Sequence, residues 1–204
     1  MSTKAYVILN PAAGQSDAAQ IKQCLNEARD EGRWAFDLYE TTGEEDLKKI
    51  VEKALREDYG LILVCGGDGT VSGAADGLAN SSIPMGILPT GTANAFATEL
   101  GIPKDWKAAL ELLLSGHRVQ SVDAIQCGQH FFILEASLGA FSASFDDVER
   151  EEKNRLGWLA YIGKVIHNWF GRDPLKVWIN VDGARFCFRT VEISLFNTSQ
   201  VGII

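Results

Sequence analysis

The sequence predicts an α/β fold: a parallel sheet covered by helices on both faces, followed by a second, mostly β domain that holds one inserted helix. Two observations carry this. Through residue 114, short apolar runs alternate with amphipathic helical stretches, the pattern of strands that must be covered on both sides. Past Gly116 the pattern changes to longer strand-like segments, with Asp182-Gly183 placed as a hairpin turn. The domain boundaries read as 1–117 and 118–204.

Ala5–Leu9 is the first predicted strand, and a helix follows from about Asp17 to Glu31. Trp34–Tyr39 is the second strand. Glu44–Glu57 is helical, with Leu47, Ile50, Val51, Ala54 and Leu55 on one face. Leu61–Cys65 is the third strand and leads into a glycine-rich helix. Pro84–Leu88 is the fourth strand, and Asp105–Leu114 is a further helix. In the second domain the strands read as Val119–Cys127, His130–Leu138, Lys176–Val181 and Ala184–Phe196. The inserted helix reads from about Asp147 to Phe170.

Composition narrows the function. A net charge of −8 argues against a broad nucleic-acid-binding face. The 46% hydrophobic and 23% charged content is that of a globular chain. Cys24, Cys65, Cys127 and Cys187 lie far apart, with neither a zinc spacing nor a disulfide framework, which reads as a reducing, cytoplasmic setting. The N-terminus lacks a signal-peptide layout, and no apolar run approaches the ~20 residues of a membrane span. His117, His130 and His167 are scattered and do not read as metal ligands or catalytic groups.

The chemistry lies in three loops: NPAAG (residues 10–14), GGDGT (66–70) and PTGTAN (89–94). Each follows a predicted strand, so in a parallel sheet they share the carboxyl edge, where ligands bind. A strand, a glycine turn and a helix N-terminus present backbone N–H groups and a positive dipole end to an anion. Three converging loops therefore predict a Rossmann-like nucleotide-binding domain. Gly73 and Gly77 follow Gly69 at spacings of four and read as close packing of that helix onto the sheet. The dehydrogenase fingerprint is absent because Ser72 stands where its third glycine would be, and neither a P-loop nor a nucleophile elbow is present. Asp68 has two readings. It N-caps the following helix, or it works beside bound phosphate through Mg²⁺ or by orienting a reacting hydroxyl.

NPAAG, GGDGTVSGAADGL and PMGILPTGTANAFATELGIP together resemble the diacylglycerol kinase catalytic-domain family, nearest its bacterial YegS/DgkB-like lipid kinases and related to sphingosine and ceramide kinases. Val122-Asp123-Ala124, FFILEASLGAF and EREEKNRLGWLAYI are similar to the start of that family's second domain. The resemblance implies an α/β domain followed by a β-sandwich, and transfer of the ATP γ-phosphate to a lipid hydroxyl with Mg²⁺. It implies ATP contacts from Asn10, Pro11, Ala12, Ala13 and Gly14, and from Gly66, Gly67, Asp68, Gly69, Thr70, Val71, Ser72 and Gly73. Thr92 joins them, as does a threonine before the second helix; Thr41 and Thr42 both fit, with Thr41 preferred. Asp68 is the central acid of the site, and Asp123 matches an acidic position in a Mg²⁺–water network.

The chain departs from the family pattern in three places. Ala95 stands where bacterial members carry an acid, and Glu135 where asparagine is common. The family's catalytic base accompanies a motif expected beyond Ile204, so the chain reads as a truncated lipid kinase, inactive by itself. Residues 156–170 read as an amphipathic helix, packed on its own domain or facing a membrane surface, with Arg150, Lys153, Arg155, Lys164 and Arg172 beside it. An unfinished sandwich would also favour a homodimer. The alternatives are a catalytically silent nucleotide-binding module and a NAD kinase-like enzyme, since GGDGT occurs there too.

Overall fold

The computed structural model describes residues 4–14, 18–139 and 174–197. The chain divides into two compact units, Met1–Leu134 with Asn197–Ile204, and Glu135–Phe196. The first unit therefore continues past residue 117 to take in a short hairpin.

Four strands form the parallel sheet of the first unit: β1 (Ala5–Leu9), β2 (Phe36–Glu40), β3 (Leu61–Gly66) and β4 (Met85–Pro89), in the order β2-β1-β3-β4. Alternate side chains of the two central strands enter two separate cores. Val7, Leu9, Leu63 and Cys65 face α1 (Ala18–Asp30) and α5 (Trp106–Ser115), meeting Ile21, Leu25, Ala109 and Leu110. Ile8, Ile62 and Val64 face α2 (Leu47–Ala54), α3 (Asp68–Leu78) and the short α4 (Ala95–Glu99), meeting Val51, Val71, Ala74 and Phe96. Both faces of the sheet are thus covered, and the strands read as continuous apolar runs for that reason. Asp46 and Asp105 accept hydrogen bonds from Lys49 N and Ala108 N and so cap α2 and α5. The α4 turn is absent from the sequence reading; five residues are too few to display a helical period.

The glycine-rich helix differs from the expectation in what it packs against. Gly73 and Gly77 face α2, not the sheet. A methyl group on Gly77 would lie 2.7 Å from Lys48 O and 2.8 Å from Val51 Cβ, and one on Gly73 3.1 Å from Leu47 Cδ1. Two helices side by side on one sheet face must share its width, and glycine lets α3 sit against the backbone of α2.

Three predicted strands are shorter or divided. Only Ile125–Cys127 (β5) of the 119–127 segment finds a partner, His130–Phe132 (β6), across a turn in which Gly128 has φ +61°. The 130–138 run breaks because Ile133 turns into the core beneath α2, α3 and α4, while Asn197 donates from Nδ2 to Ile133 O and from its backbone N to Leu134 O. In the second unit Glu135–Gly139 (β7) pairs antiparallel with Glu192–Phe196 (β10), and Leu175–Val181 (β8) pairs with Ala184–Thr190 (β9). The 184–196 run therefore changes partners at Val191. Thr190 makes the corner, its hydroxyl donating to Glu192 O at 2.6 Å and accepting from Glu192 N at 3.2 Å. The predicted Asp182-Gly183 turn is present, with both residues at positive φ, +49° and +83°. The 156–170 helix and its basic flank lie outside the described residues.

Gly77→Ala should lower stability by about 1–3 kcal/mol, the usual cost of overpacking, despite alanine's better helix propensity. Gly69→Ala, where an added methyl group meets nothing within 4 Å, should leave stability unchanged or slightly higher. Urea denaturation of the two variants measures both effects.

Candidate functional site

The three loops leave the sheet at its carboxyl edge and touch. Asn10 N donates to Cys65 O at 2.9 Å, and Thr90 N to Gly66 O at 3.1 Å, so the ladder runs to the last residue of each strand. Beyond that point the backbones come too close for side chains. A methyl group on Gly91 would lie 2.5 Å from Gly67 Cα, and one on Gly14 would run into Thr90 O. Gly14 also sits at φ +60°.

Side chains then tie the loops together. Asn10 Nδ2 donates to Thr70 Oγ1 at 2.9 Å, while Asn10 Oδ1 accepts from Ala12 N at 3.0 Å. Asn94, in the left-handed region at φ +49°, closes its own loop by accepting from Gly91 N at 2.9 Å and donating to Gly91 O at 2.8 Å. Asp68 does not cap its own helix; Gly67 is the N-cap residue of α3, without a side-chain bond. Asp68 Oδ1 instead accepts from Phe96 N at 3.1 Å, capping the first turn of α4. The carboxylate thus joins GGDGT to PTGTAN and keeps a second oxygen.

The predicted residues fall into distinct environments. Thr70 and Val71 are buried, Val71 within the core, so a ligand would meet them through backbone. Gly69, Pro11, Ala12, Gly14 and Thr92 are exposed, and Ala13, Gly67, Asp68, Ser72 and Gly73 half-buried. Thr41 follows β2, its N–H donating to Leu9 O at 2.9 Å. Its hydroxyl is buried with no hydrogen-bond partner among the described residues. Thr42 N and Gly43 N donate to Glu45, which pins the loop beside it. These bonds, from Thr42 foremost, bring the Glu45 carboxyl down to about 2. Asp123 is exposed, and its carbonyl oxygen accepts from Asn197 Nδ2.

No cluster of three or more His, Cys, Asp or Glu side chains that could hold a metal occurs among the described residues. His117 Nδ1 lies 2.7 Å from Leu113 O, at the end of α5.

A second cluster escaped the sequence reading. Asp76, on α3, bonds Lys48 Nζ at 3.0 Å, His130 Nδ1 at 2.7 Å and Phe131 N at 2.9 Å; Lys48 also donates to Gln129 O. Burial opposes ionisation of Asp76, but these donors together hold its carboxyl below the usual range. The β5–β6 hairpin is thereby fastened to the helix that begins at GGDGT. Asn94 and Thr90 stood within the PTGTAN loop without an individual role; the bonds of Asn94 to Gly91 and the burial of Thr90 appear only in the fold.

The profile described as the diacylglycerol kinase catalytic domain matches residues 4–127. The chain is 30% identical to the diacylglycerol kinase of Bacillus subtilis (strain 168), over 98% of this chain and 66% of that protein. It is 33% identical to a Klebsiella pneumoniae (strain 342) protein named "Probable lipid kinase YegS-like", over 77% of this chain and 52% of the other. A crystal structure of a diacylglycerol kinase from Bacillus anthracis str. Sterne superposes with a TM-score of 0.69 at 28% identity, covering 97% of this chain and 65% of that one. The chain thus spans about half to two thirds of the length of these relatives.

Because the Glu45 carboxyl ionises more readily in the fold than its ordinary 4.5, its hold on the 41–43 loop is complete above that pH and is lost as pH falls through about 2. Glu45→Gln should free the loop at neutral pH, seen as faster amide exchange at Thr42 and Gly43 with the sheet amides unchanged.

Proposed function

The chain belongs to the diacylglycerol kinase catalytic-domain family, and from that premise we propose that its first unit binds ATP, in a protein that transfers the γ-phosphate to the hydroxyl of a lipid such as diacylglycerol. The observation that carries the reading is the contact of three glycine loops at one sheet edge. Gly67 and Gly91 approach too closely for any side chain, and α3 points its N-terminus at the same place. The lipid kinase names of the relatives support the acceptor class. Among the described residues no helix is long and apolar enough to cross a membrane.

In this reading Asn10 to Gly14, Gly66 to Gly73, Thr92 and the unpartnered Thr41 hydroxyl surround the nucleotide. The free oxygen of Asp68 faces the charge of the phosphates. Mg²⁺ would supply charge neutralisation there, with Asp68 as its ligand or the ligand of its water, and Asp123 as a further candidate. Phosphoryl transfer needs mainly positioning and charge neutralisation, and Asp68, anchored through Phe96 N, holds two of the loops in register.

Calorimetry with Mg·ADP tests the binding half. Heat should be measurable for the wild-type chain and vanish in Gly67→Val, whose side chain would occupy the loop contact; no heat at millimolar ligand in the wild type would overturn the reading. For the chemistry, Asp68→Asn retains an acceptor for Phe96 N but loses the charge. Label transfer from radiolabelled ATP to lipid alcohols should fall by 100-fold or more, with the melting temperature little changed. Near-wild-type rates would reduce Asp68 to a cap.

A further inference from the structure

A pocket of about 380 Å³ opens beside the loop edge, lined by Gly14, Thr90, Gly91, Thr92, Asn94, Lys104 and Trp106 among others. None of the three loops contains a lysine or arginine, yet a nucleoside triphosphate brings about four negative charges. We infer that Lys104, with the hydroxyl of Thr90, forms the subsite for the terminal phosphate of the nucleotide; the inference rests on the ATP-binding reading and extends it to residues outside the three motifs' glycines.

Two independent features converge on it. Lys104 has no ion-pair partner among the described residues, although acids outnumber bases in the chain by 27 to 19. The neighbouring carboxylate of Asp105 is engaged at Ala108 N. Trp106 forms a wall of the pocket, and Lys107 lies over its ring, 5.4 Å from Nζ to the centroid. The second feature is Thr90. It lines the same pocket, is only 6% exposed, and its hydroxyl has no partner among the described residues. A buried, unpaired hydroxyl costs folding free energy unless something else bonds it. A phosphate oxygen in this pocket would accept that bond while Lys104 neutralises its charge. The Gly91 N–H is committed to Asn94 and the Thr90 N–H to Gly66 O, so neither is a donor to the pocket.

The test is calorimetry of the chain with AMP, ADP and ATP at constant Mg²⁺ and salt. Lys104→Gln should weaken ATP by about tenfold or more, the size of one charge-assisted hydrogen bond, weaken ADP less, and leave AMP unchanged. Lys104→Arg should recover most of the loss. Thr90→Val should weaken ATP without lowering the melting temperature, because the hydroxyl bonds nothing among the described residues. Equal ATP affinity in Lys104→Gln and wild type would overturn the subsite and leave the ATP-binding reading standing. An equal loss for all three nucleotides would overturn its assignment to the terminal phosphate. Absence of ATP binding by the wild type would overturn both readings.

Discussion

The contact between Gly67 and Gly91 governs the architecture of the site. Parallel strands at neighbouring positions deliver their loops to one edge, roughly 4.8 Å apart in the pairing direction, and β3 and β4 are such neighbours. Chains emerging that close either splay or lose their side chains. Here they lose them, and Gly14 does the same over the Thr90 carbonyl. The result is an edge made largely of backbone, which can present N–H groups and short hydroxyls to an anion without the bulk of side chains.

An edge without side chains would also be an edge without rigidity, and the polar residues between the glycines restore it. Asn10 reaches Thr70, Asp68 reaches Phe96, and Asn94 folds back on Gly91. Each bond joins loops or closes one, and each is half-buried, where it is stronger than in open water. Asp76 extends the same logic from α3 to the β5–β6 hairpin. One carboxylate, 12% exposed, takes a lysine, a histidine and a backbone N–H. Removing it would leave the half-buried Lys48 ammonium without its counter-charge, only the Gln129 carbonyl remaining, which is costlier than losing an exposed pair.

The glycines of α3 answer a different demand. They lower the helix's intrinsic propensity, but α3 begins at a fixed point, the end of β3, and must descend beside α2. The contacts of Gly77 with Lys48 O and Val51 set how closely the two helices approach. The sequence spacing identified the face correctly and the surface it meets incorrectly, because a run of glycines reports that something is near without reporting what.

The parallel α/β domain, the starts of β1, β3, β6 and β9, the Asp182-Gly183 turn and the family were legible in the sequence. These features depend on local period, turn chemistry and short motifs, all written in consecutive residues. The strand breaks at 133–134 and at Val191 were not, since a β pattern looks the same whichever strand it pairs with. Nor was the partner of Asp68 legible: any acid ahead of a helix reads as that helix's cap, and only the folded chain brings Phe96 N within reach across 28 residues. The grouping of Thr90, Lys104 and Trp106 around one pocket, and of Lys48, Asp76 and His130 around one carboxylate, likewise belongs to the tertiary structure. Sequence determined which residues could bind an anion or carry a charge. Which of them meet was decided by the order of strands in the sheet and by the packing of helices across it, because contacts between distant segments leave no periodic trace in either segment alone.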